Sequence, residues 1–526
     1  MPLPGPIPLA IAWPELSTWL IELAFVAYAV AISLVVVLER RRPTTTLALV
    51  LALVFVPVLG LVVYLLLSRR ARRTRRARAR RIVRPFDALR GFARIEALPD
   101  ELAPLPRGLV RLAVATATAP VRRASTVQVH SDPAEIFAAM RRAIDGAEHF
   151  VHLLFYIWHD DETGRDLVAR LAARARQGVR VRVLVDDIGS FHADALFAPL
   201  LDAGGTVARF GRVRLHWPWR ARLNFRNHRK LLVADGERGF IGGVNVGDEY
   251  SGRTASVRWR DIMVELAGDA VLGLDAVFLE DWLATTGQVI DVHGQHPSAL
   301  QHLDARRPRR RLPRLRGESE RERRLRQGDP YHGLVPRAAA AAGPLVQIIP
   351  SGPDAPNDQA IAAQIVAAIA IATARVWLVT PYLVPDEPLL LALRTAALRG
   401  VDVRIIVPSA PVNDSRLVAL AAASYYDELF DAGARVFEYH AGMLHAKYAL
   451  FDDVSLVGSA NMDVRSFHLN YEIIAMFYDA EIARAFAARF IEDLAAAQEV
   501  EPGAREHLAW SRRLGEGVAR VLSPML

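Results

Sequence analysis

The sequence predicts an α/β protein of two tandem domains with mixed or parallel sheets that close on one shared, pseudo-twofold site, preceded by an apolar two-helix hairpin. Three observations carry that prediction: a strand–helix–strand pattern that occurs twice, a histidine–lysine motif at similar spacing in each copy, and two apolar runs near the N-terminus. The chain has 526 residues, enough for two or three domains with large cores. Hydrophobic residues make up 52% of it and charged residues 23%, which excludes a disordered chain. There is no cysteine, so disulfides, thiolate metal sites and a thiol nucleophile are excluded.

In chain order, residues 1–70 read as a membrane hairpin. Leu16 to Leu38 and Leu47 to Leu67 are nearly unbroken apolar runs. Each is about long enough for a helix to cross a hydrocarbon core. Glu22 lies near the start of the first run and can reach the interface; Pro57 in the second is tolerable in a membrane helix. The opening MPLPGPIPLAIAWPE carries no basic patch, which argues against a cleaved signal peptide. Nine arginines between Arg69 and Arg81 place the bulk of the protein in the cytoplasm by the positive-inside rule. They also open a basic connector, residues 71–120, suited to anionic headgroups. The connection ERRR, Glu39 to Arg42, opposes a simple crossing, and a shallow re-entrant hairpin keeps both clusters on one face.

Two copies of one unit follow, at 121–294 and 343–500. The first reads FVHLLFYIW (Phe150–Trp158), a helical stretch, then GVRVRVLVDD (Gly178–Asp187). The second reads RVWLVTPYLV (Arg375–Val384), a helical stretch, then GVDVRIIVPS (Gly400–Ser409). Such β-branched runs suit buried parallel strands. A histidine motif follows 50 residues after Gly178 and 45 after Gly400, a recurrence that points to duplication. Between the copies, 295–342 is dense in arginine and proline and reads as a solvated, flexible linker. The tail, 501–526, alternates arginine with leucine, tryptophan and valine at helical spacing, fit either for a membrane surface or for docking on the enzyme body.

The net charge is +8, and all but two of the 65 basic residues are arginine. The exceptions, Lys230 and Lys447, each stand two residues after a histidine, His228 and His445. A chain that otherwise uses guanidinium retains lysine where a compact ammonium on a flexible stem is needed. The first motif is HRKLLVAD, His228 to Asp235, followed by Gly242, Gly243 and Asn245; the second is HAKYALFD, His445 to Asp452, followed by Gly458, Ser459 and Asn461. Strand alternation puts each histidine and its lysine on one face.

Two such half-sites together suit phosphodiester chemistry without a metal or cofactor. The ammoniums bind non-bridging oxygens, one imidazole attacks phosphorus, and the other serves as acid and base. Gly243 and Ser459 are expected to allow close backbone approach, and Asn245 and Asn461 to donate hydrogen bonds to phosphate. A nucleophilic imidazole needs a carboxylate to fix its tautomer, a role assigned to Asp261 in WRD and Glu472 in NYE. Asp235 and Asp452 complete the motifs and are expected to hold the loops that present them. Metal ligation is disfavoured, because neither copy shows a tight cluster such as HExxH.

The paired HxKxxxxD motifs resemble the phospholipase D superfamily, and their surroundings resemble bacterial cardiolipin synthases. The resemblance rests on Asn224–Tyr250, Trp259–Asp261, Ser351–Pro353, Pro381–Glu387 and Met443–Glu472, with the two N-terminal runs and the ending RVLSPML. It implies tandem phospholipase D-like domains in a bacterial inner-membrane, multi-pass enzyme. It further implies that one phosphatidylglycerol gives its phosphatidyl group to a histidine, by analogy His228, with His445 as acid/base. A second phosphatidylglycerol then takes the group, yielding cardiolipin and glycerol. Leu383 stands where the family often has phenylalanine, and the arginine-rich linker is unusually long, so the acceptor is left open. Water or another headgroup as acceptor uses the same site. A nuclease is disfavoured by the hairpin, so no nucleic acid is expected as partner, and a dead lipid-binding scaffold is disfavoured by two intact motifs.

Overall fold

The computed structural model describes residues 13–38, 43–56, 104–191, 193, 195–212, 225–253, 258–288, 290, 343–353, 359–505 and 507–523. The chain divides into two compact units, residues 1–75 with 214–221 in one and all others in the second. In the first, α1 (Trp13–Leu38) and α2 (Pro43–Phe55) are strongly apolar helices that expose Trp19, Leu23, Val30 and Leu34, and Leu47 and Leu51. The second expected span runs on to Leu67, past the described residues, as do Arg69–Arg81 and the linker 295–342. Among the described residues no helix is long and apolar enough to cross a membrane.

The second unit contains both copies. Its first half comprises α3 (Pro104–Ala117), β1 (Val121–Arg123), β2 (Thr126–His130), α4 (Pro133–Asp145), β3 (Phe150–Phe155), α5 (Glu162–Arg176), β4 (Arg180–Asp186) and β5 (Thr206–Phe210). It continues with β6 (Leu231–Ala234), β7 (Arg238–Gly242), β8 (Trp259–Arg260), β9 (Met263–Ala267) and α6 (Ala270–Thr286). The helices start where the local chemistry dictates. Asp132 caps α4 through the backbone N–H groups of Ala134 and Glu135 with Pro133 in the first turn, and Asp161 caps α5.

The second half comprises β10 (Leu345–Ser351), α7 (Ala360–Ile371), β11 (Arg375–Val379), β12 (Leu383–Val384), α8 (Glu387–Leu398), β13 (Asp402–Pro408), α9 (Arg416–Ala423), β14 (Arg435–Tyr439) and β15 (Met443–Leu444). After it come β16 (Tyr448–Phe451), β17 (Val454–Gly458), β18 (Met462–Asp463), β19 (Glu472–Tyr478), α10 (Ala480–Ala495), β20 (Ala497–Glu499) and α11 (Trp510–Leu522).

The duplication is visible strand by strand. One sheet runs β2-β9-β7-β6-β3-β4-β5; the other runs β1-β10-β19-β17-β16-β11-β13-β14-β20. In each, three strands are parallel (β3-β4-β5 and β11-β13-β14) and the rest of the shared order is antiparallel, so the sheets are mixed. Strand β3 is buried along its whole length, as its apolar residues require, and its one polar residue, His152, pairs with Asp275 at 2.6 Å. Helix α6, apolar on nearly all sides and almost wholly buried, shares one core with the first sheet and with Val346 and Ile348 of β10.

One boundary moves. Residues 104–123, expected in the connector and the start of the first domain, pack with the second half. Strand β1 pairs with β10, and Gln364 and Gln347 donate side-chain hydrogen bonds to the carbonyls of Leu109 and Ala119.

Candidate active site

Each histidine motif enters its sheet from the interface between the halves. His228 to Lys230 lead directly into β6, and His445 to Lys447 into β16. What brings the two together is an exchange of backbone pairing. Met443 and Leu444 pair in parallel with Trp259 and Arg260, and the N–H of His445 donates to the carbonyl of Arg260. On the other side Asn227 bridges in parallel to Tyr471, and the N–H of His228 donates to the carbonyl of Tyr471. The residue after each of these partners is an acid, Asp261 or Glu472.

The acids are therefore swapped between halves. His228 Nδ1 lies 3.0 and 3.1 Å from the two oxygens of Glu472, and His445 Nδ1 lies 2.6 Å from Asp261 Oδ2. Both contacts fix the tautomer: Nδ1–H donates to the carboxylate and Nε2 keeps its lone pair. Lys230 and Lys447 are fully buried, and each ammonium donates to the carbonyl of its own histidine. Each ammonium also feels both carboxylates, Glu472 and Asp261, and Lys230 feels Lys447 directly. The four groups converge on one small volume.

Their electrostatics differ. Burial pushes the His228 imidazole down to about 4, with Glu472 opposing and Lys230 assisting. Burial and then the two ammoniums hold His445 well below the ordinary histidine value. Burial raises Asp261 to about 7 despite the pull of Lys447. Burial acts the same way on Glu472, yet His228, Lys230 and Ser459 outweigh it and carry this carboxyl below the ordinary range. Burial brings Lys447 down to about 8 and Lys230 well below its usual value. An anion placed between the ammoniums favours their charged forms and reverses that drift.

Several residues singled out in the sequence do different work from that expected. Gly243 does not open the backbone to a phosphate: a methyl group there would collide with the Asp261 carboxylate, so glycine makes room for the acid. Its counterpart Ser459 donates its hydroxyl to Glu472 and accepts the N–H of Ile473. Asn245 donates to the hydroxyl of Tyr250 at 2.9 Å and accepts from the N–H of Ile157; Asn461 donates to Asp463 at 3.0 Å. Both amides brace the loops beside the motifs.

Asp235 and Asp452 do not belong with the catalytic groups. Each occupies a left-handed turn at the far end of its strand, at φ 55° and 53°. The Asp235 carboxylate accepts the N–H groups of Glu148, His149 and Phe150, and that of Asp452 those of Thr373, Ala374 and Arg375. Both pin the hairpin to the first residues of a central strand, β3 or β11.

Aromatic walls were missed. Tyr156 meets His228 edge-on at 4.9 Å between centroids and lies beneath the Lys230 ammonium at 5.4 Å. Tyr250 and Trp259 enclose His445 at 5.6 and 5.1 Å. For Tyr156 the available signal was a tyrosine closing the strand run in FYIW, but periodicity alone does not separate wall from core. Among the described residues the one group of three with metal-ligand spacing is His159, Asp161 and Glu249.

Comparison with known proteins agrees with this geometry. The family profile described as cardiolipin synthase, PLD-like domain, matches residues 140–282 and 365–494, one match over each half. A second profile, phospholipase D-nuclease N-terminal, matches residues 25–69. A cardiolipin synthase of Geobacillus kaustophilus is 35% identical over 89% of this chain and 86% of its own length. Cardiolipin synthase A of Pseudomonas fluorescens is 39% identical over 74% of this chain and 73% of its own. The fold is also that of a phosphatidylserine synthase from Haemophilus influenzae, with a TM-score of 0.55 over 80% of this chain and all of the other, at 14% identity. On this evidence the chain belongs to the cardiolipin synthase family and is an enzyme of the phosphatidyltransferase type.

Proposed function

We propose that the chain makes cardiolipin from two molecules of phosphatidylglycerol, through a phosphatidyl group carried on His228. In the first step His228 Nε2 attacks phosphorus and the bond to the glycerol headgroup oxygen breaks. The His445–Asp261 pair gives that oxygen its proton and glycerol leaves. In the second step the same pair takes the proton from a hydroxyl of the second phosphatidylglycerol. That oxygen attacks phosphorus, the P–N bond breaks and His228 is regenerated. Lys230 and Lys447 bind the non-bridging oxygens throughout and oppose the charge that builds on them.

The observation that carries this reading is the swapped pairing of each imidazole with the other half's acid, over two buried ammoniums. The roles follow from the acids. Glu472 is the stronger acid and stays ionised, so it accepts the Nδ1–H and fixes the tautomer, while burial keeps His228 neutral with a free lone pair on Nε2, as a nucleophile requires. Asp261 near 7 lets its pair with His445 hold or release a proton at ordinary pH, as an acid/base requires.

The exposed apolar faces of α1 and α2, the arginines at 69–81 and the N-terminal profile match support a membrane hairpin in the bacterial inner membrane, with the catalytic halves in the cytoplasm. Incubation of the purified chain with labelled phosphatidylglycerol tests the reaction. Cardiolipin with free glycerol is expected; phosphatidic acid alone would make the chain a hydrolase.

A further inference from the structure

Helix α11 is seated the wrong way round for a helix in water. Its buried side is polar but for Ala519, which is fully buried. Glu516 is 4% exposed and accepts from Arg505 at 2.9 Å, while Arg505 also donates to Asp427 at 2.6 Å. Arg520 donates to the carbonyl of Ser424 and to Glu428, and lies 4.3 Å from the centroid of Tyr425. Its outer side is apolar: Trp510, Leu514, Val518 and Val521 are 76, 57, 51 and 78% exposed. Spacings of four, four and three put them on one line along the helix. Amphipathic helices of soluble proteins bury that line.

The surroundings say what covers it. Arg513, exposed, flanks the apolar line, and Arg512, also exposed, stands across the helix from it and donates to Glu516 at 3.4 Å. Arg512 and Arg416 line a cavity of about 420 Å³ whose walls include Val407, Pro408 and Leu420. The loop forming that cavity runs back to the catalytic centre. Asp414 accepts the hydroxyl of Tyr382 at 2.7 Å, and its charge reaches Lys447.

We propose that α11 is an interfacial docking element, lying in the headgroup boundary of an anionic phospholipid bilayer with Trp510, Leu514, Val518 and Val521 inserted. Arg513, on the flank of that line, meets lipid phosphates there, and Arg512 and Arg416 stand at the cavity on the helix's other side. A single line of four side chains, led by a tryptophan, fits shallow insertion rather than crossing. This contact is separate from the N-terminal hairpin and bears on the half that carries the acid/base histidine. It rests on the reading that the substrate is a bilayer phospholipid.

The chain has no cysteine, so a single introduced thiol can be spin-labelled uniquely in the full-length protein. Val518→Cys and, separately, Leu514→Cys carry the label in phosphatidylglycerol vesicles, with Glu237→Cys, in the exposed turn after β6, as reference. At 518 and 514 collisions with oxygen should exceed those with a water-soluble nickel chelate, and at 237 the order should reverse. Free access of the nickel chelate to 518 and 514 would overturn docking. Exclusion of both reagents would also overturn it, by showing that a second copy or α1 and α2 cover the helix. Because depth and not turnover is read, this failure is distinct from a failure to make cardiolipin.

Discussion

The two half-sites begin from the same motif and end as different chemical devices. On one side glutamate, fully buried but held by the Ser459 hydroxyl and by Asn470 at 3.1 Å, reaches His228 and stays ionised. On the other a shorter aspartate, packed over Gly243 with a single backbone N–H from Ile262, reaches His445 and is lifted to about 7. One methylene, the Ser459 hydroxyl and the Asn470 amide separate them. In the proposed mechanism these differences leave one imidazole to attack and the other to hold a proton, and the exchange of acids makes each half dependent on its partner.

The largest effects should come from the groups that differ most in role. His228→Ala should remove turnover altogether, roughly 10³-fold or more, as seen by cardiolipin release. His445→Ala should also abolish turnover of phosphatidylglycerol, yet still release one equivalent of nitrophenol from a phosphatidyl nitrophenol, because that leaving group needs no proton. A burst with His228→Ala and none with His445→Ala would invert the two roles.

Next come the carriers of charge. Lys447→Arg keeps the charge but puts a planar, longer group into a fully buried slot, and should cut kcat roughly 10- to 100-fold. Near-normal activity would undo the argument from lysine scarcity. Gly243→Ala should displace Asp261 and cost a comparable factor, while Ser459→Ala removes the hydrogen bonds to Glu472 and from the Ile473 N–H and should cost about 1–3 kcal/mol in transition-state stabilisation.

The pH profile sharpens the comparison further. Glycerol release needs the proton on the His445–Asp261 pair, so its rate should fall as pH rises through about 7. Asp261→Asn should remove that limb of the profile, whereas Glu472→Gln should leave it in place on a lower rate. The smallest effect belongs to the remote turns. Asp235→Ala should cost roughly 1–2 kcal/mol of stability, read as a lower Tm, with kcat of the folded enzyme unchanged.

Much of this architecture was legible. The β-branched runs marked β3, β4, β11 and β13, and scarcity singled out Lys230 and Lys447. What escaped depends on pairing between residues far apart. Nothing in WRD or NYE tells that Arg260 and Tyr471 receive the N–H of the other half's histidine, so the swap of Asp261 and Glu472 was hidden. For the same reason Gly243 and Asn245 were aimed at phosphate when their neighbours are Asp261, Ile157 and Tyr250. The short strand Val121–Arg123 gave no sign that it would cross to β10, because three residues carry no register of their own.

The most direct test is to trap the covalent intermediate. His445→Ala protein is mixed with an activated phosphatidyl ester, quenched, digested and mapped by mass spectrometry. A phosphatidyl adduct on the peptide containing His228, lost on the further change His228→Ala, is the predicted result. An adduct on any other residue, or release of the leaving group with no adduct at all, would contradict an attack by His228 at a centre shared between the halves.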